Sequence, residues 1–390
     1  MKIRIFVSFL LLLAISLSAN AVEISQQQAK EKAFAFMLKR KGNNVGTLRR
    51  SPSSARLSSL ISTPTGHEAV FAFNCDGGGF VLVAGDDCLG DVLGYSDAGS
   101  FGDADMPPAL EALLQTYALQ IEMMRSNGTQ AAKVSRPHPA IAPLLQTDWY
   151  QSAPYNKHLS DTTHATGCVA TAMAQVMYYH RWPAGETTEY QPAPDYAVVP
   201  PTTFDWDNML LNYDEQTYTE VQADAVAHLM RWCGLSVKMV YGSQSGASTN
   251  EIAPALKGCF GYDKGVHKVS RSDYTIDQWD AMIYAELAAK RPVIYDGMNS
   301  RGEGHSFVCD GYDGYGNYAI NWGWGGGYNG YYNLAVLDPY GSGIGGSLNN
   351  NNRWSVLQDA IIGIQPPTEG TTVAHDGRLS VNELNLSRSC

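Results

Sequence analysis

No two of the chain's seven cysteines (Cys75, Cys88, Cys168, Cys233, Cys259, Cys309 and Cys390) stand in a CxxC pair, so a structural zinc cluster is not expected. No metal ligand set or cofactor motif is expected elsewhere, and the site needs neither. There is no basic run either: 27 Lys and Arg against 38 Asp and Glu give a net charge of −11, which excludes the usual footprint for nucleic acid or an anionic membrane. After the first residues no apolar stretch approaches about 20 residues, so no membrane span is predicted. Internal repeats are lacking too.

What the chain does have begins at its first residues. Lys2 and Arg4 precede the apolar run Ile5 to Leu17, and Ser18-Ala19-Asn20-Ala21 supplies small residues at a cleavage spacing. That is the pattern of a signal peptide over 1–21, which predicts a secreted chain, extracellular or periplasmic. An odd number of cysteines in an exported protein leaves at least one unpaired or bonded to another molecule. The others are expected as buried small hydrophobes or as one or two bridges.

With 44% hydrophobic residues over 390 positions, two domains plus tails are expected. Ser25 to Lys39 reads as a serine-capped amphipathic helix with Ala33, Phe34, Met37 and Leu38 on its buried face. His67 to Asn74 and Phe80 to Gly85 read as strands joined by the glycine-rich turn Cys75 to Gly79, and Val92 to Tyr95 as a third. Pro107 to Arg125 returns to helical spacing through Leu110, Leu113, Leu114, Tyr117 and Ile121. Residues 22–135 thus form a small α+β unit, and 127–143 reads as an exposed linker. The second domain, 136–365, has helices first (Cys168 to His180, Glu220 to Cys233). Strands follow, at Val293 to Asp296, Ser306 to Tyr312, Tyr318 to Trp322, Tyr331 to Leu334 and Val356 to Ile364. This order predicts an α+β fold with a segregated antiparallel sheet. Gly341 to Ser347 and Asn349 to Asn352 are expected to form a loop beside the cleft, and 366–390 a polar tail that starts an extension.

Four local features carry chemistry. Cys168 follows Gly167 and opens a helical pattern through Val169, Ala172, Met173, Val176 and Met177. A thiol at a helix N-terminus is biased towards thiolate; the bland alternative is a buried cysteine capping a core helix. His305, 137 residues further on, lies in Gly302-Glu303-Gly304-His305 at the mouth of a strand, where an imidazole can take a thiol proton. Asn321-Trp322-Gly323-Trp324 offers an amide to orient that ring and indoles to shield it, or is simply a strand end with aromatic packing. Gln151, 17 residues before Cys168, would complete an oxyanion hole with the Cys168 N–H.

The segments around Gln151 and Cys168, from Phe204 to Leu210, from Tyr241 to Ala247 and from Arg291 to Trp324 resemble the streptopain family of papain-like cysteine proteases. The first domain is similar to that family's pro-domain, above all at Gly79 to Asp86 and Leu93 to Ser96. The resemblance implies a papain-like catalytic domain, a helical part plus an antiparallel sheet, preceded by a small α+β inhibitory pro-domain. Cys168 would be the nucleophile, His305 the base and Gln151 the oxyanion donor, with Asn321 and Trp322 both candidates to orient the imidazole. Gly304, Ala247 and Trp324 would border the substrate cleft. The partners implied are protein or peptide substrates, with an apolar residue just before the one at the cleaved bond, and the chain's own pro-domain. The extra cysteines depart from the pattern. Two rivals stand beside this reading: an inhibitor, which needs no nucleophile, and a transglutaminase or cell-wall amidase using the same acyl-enzyme chemistry.

Overall fold

The computed structural model describes residues 22–42, 46–51, 66–102, 106–127, 138–213, 217–298, 304–334 and 358–367. The expected signal peptide, most of the linker, the loop at 341–352 and nearly all of the tail lie outside them. In helix α1 (Gln26–Lys41), Ser25 Oγ accepts from the Gln28 N–H at 3.3 Å while Gln28 Oε1 accepts from the Ser25 N–H at 2.8 Å. This reciprocal cap fixes where the helix begins. Its buried residues are Ala29, Ala33 and Met37, one per turn. Phe34 and Leu38, expected inside, are 44% and 41% exposed. They sit about 100° round the helix from that stripe, and the two alanines bring α1 down on the sheet along a contact too narrow to include them.

Ten antiparallel strands form one sheet in the order β1-β2-β3-β4-β9-β8-β7-β6-β10-β5. The first four, β1 (Leu48–Arg50), β2 (Val70–Cys75), β3 (Phe80–Ala84) and β4 (Val92–Ser96), come from the N-terminal region. The other six are β5 (His267–Ser270), β6 (Val293–Met298), β7 (Gly304–Tyr312), β8 (Tyr318–Asn321), β9 (Gly330–Tyr332) and β10 (Gln358–Ile362). The two sets join where Gly94 and Tyr95 of β4 pair with Tyr332 and Tyr331 of β9. Glycine is required on both sides of that seam. A Cβ on Gly94 would lie 2.7 Å from the Tyr332 ring, and one on Gly330 would lie 2.5 Å from the Tyr95 carbonyl.

Helix α2 (Pro108–Asn127) lies across β6 and β7, so Leu110, Leu113, Leu114 and Tyr117 share a core with Tyr295, Phe307 and Trp322. On the opposite face pack α3 (Cys168–His180), α4 (Glu220–Ser236) and α5 (Ile252–Gly258), around Met173, Met177, Met230, Ile294 and Val308. The helices-then-strands order holds for the second domain except that one strand precedes its last helix, and that domain has three described elements that the sequence pattern did not disclose. These are α5, β5 and α6 (Ile276–Ala288), the last opened by a reciprocal Thr275–Gln278 cap. Among the described residues the six cysteines are all free thiols; five are buried, in keeping with the buried-hydrophobe expectation and not the bridged one, and Cys168 is half-buried. Among the described residues no helix is long and apolar enough to cross a membrane.

The segment expected as linker is docked from His138 onwards. Ile141 exchanges both main-chain hydrogen bonds with Tyr312 at 2.7 and 2.8 Å, and the Leu144 N–H donates to the Asp310 carbonyl at 3.0 Å. Tyr284 stacks on His138 at 4.1 Å and donates its hydroxyl to the Pro139 carbonyl.

Candidate active site

Gly167 leads into α3 at φ +89°, in the region that favours glycine, and a Cβ there would lie 2.7 Å from Met239 Sδ. Cys168 is therefore the first residue of the helix, and the residue as a whole is half-buried. The backbone N–H groups of Ser306, Val169 and Cys168 itself favour negative charge on the sulfur. Burial acts more strongly in the other direction and, with the nearby charge of Asp296, pushes the thiol up to about 11. Two loops frame this turn. The Gln151 carbonyl accepts from the Thr166 N–H at 2.9 Å, and Ser245 Oγ donates to the Ala165 carbonyl at 2.6 Å. The first brings Gln151 to the nucleophile's side of the fold, where its Nε2 is buried without a hydrogen-bond partner. A buried amide donor left unmatched costs about 1–3 kcal/mol, which is tolerable where a ligand oxygen is to be received. The second loop carries Ala247, half-buried against the same core as Cys168.

His305 is 3% exposed near the start of β7, just after the exposed Gly304. Its Nε2 lies 2.7 Å from the Trp322 carbonyl, which can only accept, so Nε2 carries the proton and Nδ1 the lone pair. Burial lowers this imidazole to about 4, partly offset by that carbonyl. Trp324 meets the imidazole edge to face at 5.4 Å and Tyr150 at 5.8 Å. Among the described residues no hydrogen bond joins Cys168 to His305. With the thiol held up and the imidazole held down, both groups are neutral at pH 7.

The Asn-Trp-Gly-Trp segment divides its tasks differently from the sequence expectation. Asn321 does not reach the imidazole. Its Nδ2 donates to the Thr147 carbonyl at 2.6 Å, and its Oδ1 accepts from Gln175 Nε2 at 3.2 Å and from the Gly323 N–H at 3.0 Å. The Trp322 indole is 0% exposed and donates to the Tyr328 carbonyl, so it faces the core, and only its main-chain carbonyl touches His305. Of the two tryptophans in this segment, Trp324 is the one that places its indole on the imidazole. Two supports escaped sequence reasoning. Gln175, fully buried on α3, bonds both Thr147 and Asn321, and Asn329 Oδ1 accepts from the Trp322 N–H at 2.9 Å. A glutamine seven residues into an apolar helix was the one visible signal for the first; the second had none.

The chain is similar to several known proteins. Residues 149–332 match the Peptidase C10 family, and residues 21–121 match the Spi protease inhibitor family. Streptopain of Streptococcus pyogenes is 33% identical over 373 residues, which cover 88% of this chain and 92% of streptopain. The thiol protease/hemagglutinin PrtT of Porphyromonas gingivalis is 33% identical over 421 residues, covering 99% of this chain and 47% of PrtT. Among solved structures, a fragment of prointerpain A of Prevotella intermedia superposes with a TM-score of 0.65 at 32% identity, covering 77% of this chain and 96% of that one.

Proposed function

The chain belongs to the peptidase C10 family of cysteine proteases and carries an inhibitor-type pro-domain, and from that premise we propose that it is a secreted zymogen hydrolysing peptide bonds through Cys168 and His305. The observation that carries this reading is the convergence of the α3 N-terminus on the start of β7. It sets a helix-terminal thiol against the Ser306 N–H, one residue from a histidine whose tautomer is already fixed. In the active form Nδ1 of His305 takes the thiol proton, and the imidazolium so formed keeps its Nε2–H on the Trp322 carbonyl. The thiolate attacks the peptide carbonyl carbon. The resulting oxyanion is met by the Cys168 N–H and by Gln151 Nε2, whose present lack of a partner fits that task. Collapse expels the amine, which takes its proton from Nδ1, and water then hydrolyses the thioester through the same base.

Residues 22–135 act as the removable pro-domain, 136–365 as the catalytic domain and 1–21 as the export signal. The neutral thiol and neutral imidazole are what a covered precursor needs, because neither reacts until the pair ionises. Gly304, Ala247 and Trp324 border the cleft, and protein or peptide chains are the substrates. The deciding experiment is peptide hydrolysis and labelling by a peptide-based thiol inhibitor, with wild type set beside Cys168→Ala and His305→Ala. Each substitution is expected to cost several orders of magnitude in kcat while the domain stays folded. Near-normal turnover by either variant would refute the assignment, and inhibition of a second protease without turnover would mark a pure inhibitor.

A further inference from the structure

A row of polar side chains crosses four strands and ends beside the thiol. Ser270 of β5 stands opposite Asp359 of β10, Asp359 opposite Asp296 of β6, and Asp296 opposite Ser306 of β7. Two residues along, Ile361, Ile294 and Val308 form the neighbouring row and belong to the core under α3. Side chains two apart on a strand share a face, so the polar row looks towards α3 as well. It occupies the end of that face where Cys168 lies, since the Ser306 N–H reaches the sulfur and the Asp296 charge acts on the thiol.

The charges along this row do not cancel. Lys268 is held by Asp359 at 2.6 Å and by Asn250 Oδ1 at 2.8 Å, while Ser270 Oγ donates to the other Asp359 oxygen at 2.6 Å. Asp296 has no ion-pair partner among the described residues. Among the described residues its two oxygens meet only the hydroxyls of Ser306 and Thr249, each at 3.4 Å. Among the described residues, two carboxylates and one ammonium leave one negative charge on the wall next to the nucleophile. A desolvated carboxylate without a cation is costly, and a cation brought by a ligand would relieve that cost.

The sheet order says which half of a peptide meets this wall. His305 is tied to Trp322, at the end of β8, and is covered by Trp324 on that same side. The leaving amine is protonated by the imidazole and departs over β8. The acyl half, bound to sulfur, therefore extends the other way, over β6. We propose that Asp296 is a specificity-determining residue that receives a lysine or arginine side chain from the acyl half of the substrate. This rests on the protease reading above, and it departs from the apolar preference that the family resemblance implies.

The groups facing Asp296 are Cys168 from α3, Asp359 from β10, Lys268 from β5, Ser306 from β7 and Thr249 from the turn before α5. Burial, followed by Asp359, raises the Asp296 carboxyl to about 7, so the selecting charge grows in as the pH rises through neutrality. The test uses the processed enzyme and peptides that differ only by arginine or its uncharged analogue citrulline, at each of three positions before the scissile bond. In the ratio of two kcat/KM values the ionisations of Cys168 and His305 cancel, leaving that of the selecting group. One position is expected to favour arginine by roughly tenfold at about pH 8, a size ordinary for one charged contact. That ratio should fall towards one by about pH 6, collapse in Asp296→Asn and persist in Asp296→Glu. A ratio near one at every position, or one unchanged in Asp296→Asn, overturns the proposal while leaving a Cys168-dependent protease intact. Cleavage that survives Cys168→Ala would instead bring down the protease reading and this inference with it.

Discussion

His305 is oriented by main chain: its Nε2 donates to the carbonyl of Trp322 at 2.7 Å, while the Trp322 indole is turned into the core under α2. An acceptor of this kind cannot be removed by changing a side chain. It can only be moved by changing what fixes β8 and the turn after it. The imidazole is thus governed by packing at Trp322, by the Gln175–Asn321 lock and by the Trp324 cover, and each can be altered separately.

The cover is the most direct to test. Replacing Trp324 by alanine lets water reach an imidazole that burial now holds at about 4. A proton-NMR titration of the His305 ring in a Cys168→Ala background should show the midpoint moving up towards the ordinary histidine value of about 6.5. Because the folded-state value lies below the unfolded one, His305 adds stability above about pH 6.5 that is lost as the pH falls through about 4. The Trp324→Ala precursor should lose less melting temperature over that acid window than its parent. In the processed enzyme, water competing for the base should lower kcat/KM by about 10–100-fold. An unmoved midpoint would show that Trp324 is not what keeps the ring dry.

The lock is a second test. Gln175 Oε1 accepts from the Thr147 hydroxyl at 2.8 Å and Gln175 Nε2 donates to Asn321. Gln175→Leu conserves volume but leaves the Thr147 hydroxyl without its acceptor and Asn321 Oδ1 with the Gly323 N–H alone, at a cost of about 1–3 kcal/mol in chemical denaturation. Since the lock joins α3 to β8, kcat should drop more than KM rises. Loss of stability with unchanged kcat would make it a support of the fold alone.

The fold class was legible in the order of the elements, and the α1 cap and the settings of Cys168 at a helix start and His305 at a strand start were legible because each is local. A capping residue, a glycine before a helical repeat and a histidine at a strand mouth are set within a few positions. What could not be read depends on cross-strand register. That Asn321 turns to Gln175 and not to His305 follows from β8 lying beside β7 over α3, with partners 146 residues apart. Asp296 looked like the end of an ordinary strand, and its place beside the thiol emerges only once β6, β7 and β10 are aligned. Phe34 and Leu38 misled for the opposite reason: their periodicity is helical, but the contact is narrower than their face.

Asp310 gives a pH-dependence of the opposite sign to His305. It is buried on β7, and its Oδ2 accepts from the Leu145 N–H at 2.8 Å. Burial raises it to about 7 despite that bond. With a folded value above the unfolded one, its contribution to stability is full below about pH 4 and is lost as the pH rises through about 7. Asp310→Asn removes the titration while keeping an acceptor for Leu145. Measured against the variant by chemical denaturation, wild type should therefore lose ground steadily between about pH 4 and pH 7 and then level off. A constant gap across that range would mean the carboxyl does not titrate there.

Latency is expected to reside in the seam between β4 and β9 and to end with a cut before His138. From His138 to Leu145 the chain is bound to the catalytic domain through Tyr312, Asp310 and Tyr284. Those contacts shield the chain from His138 onwards, so cleavage is expected just before it, between Lys133 and His138, leaving His138 in the mature enzyme. On the other side of that cut, the N-terminal unit is held by the Gly94–Tyr332 pairing, by Tyr95 stacked on Tyr331 at 5.1 Å, and by Tyr117 donating to the Asn333 carbonyl at 2.6 Å. Gly94→Val drives a side chain into the Tyr332 ring at a contact of 2.7 Å and should prise the two sets of strands apart. The variant precursor should label at Cys168 faster than wild type and convert sooner. The new N-terminus, read by sequencing after a trace of active enzyme is added to the Cys168→Ala precursor, should lie at or before His138. An uncut wild-type precursor with full activity would mean that the first domain is a permanent partner of the second. A Gly94→Val precursor as slow to label as wild type would place the restraint elsewhere, under α2, where Leu110 and Leu113 share the core of Phe307.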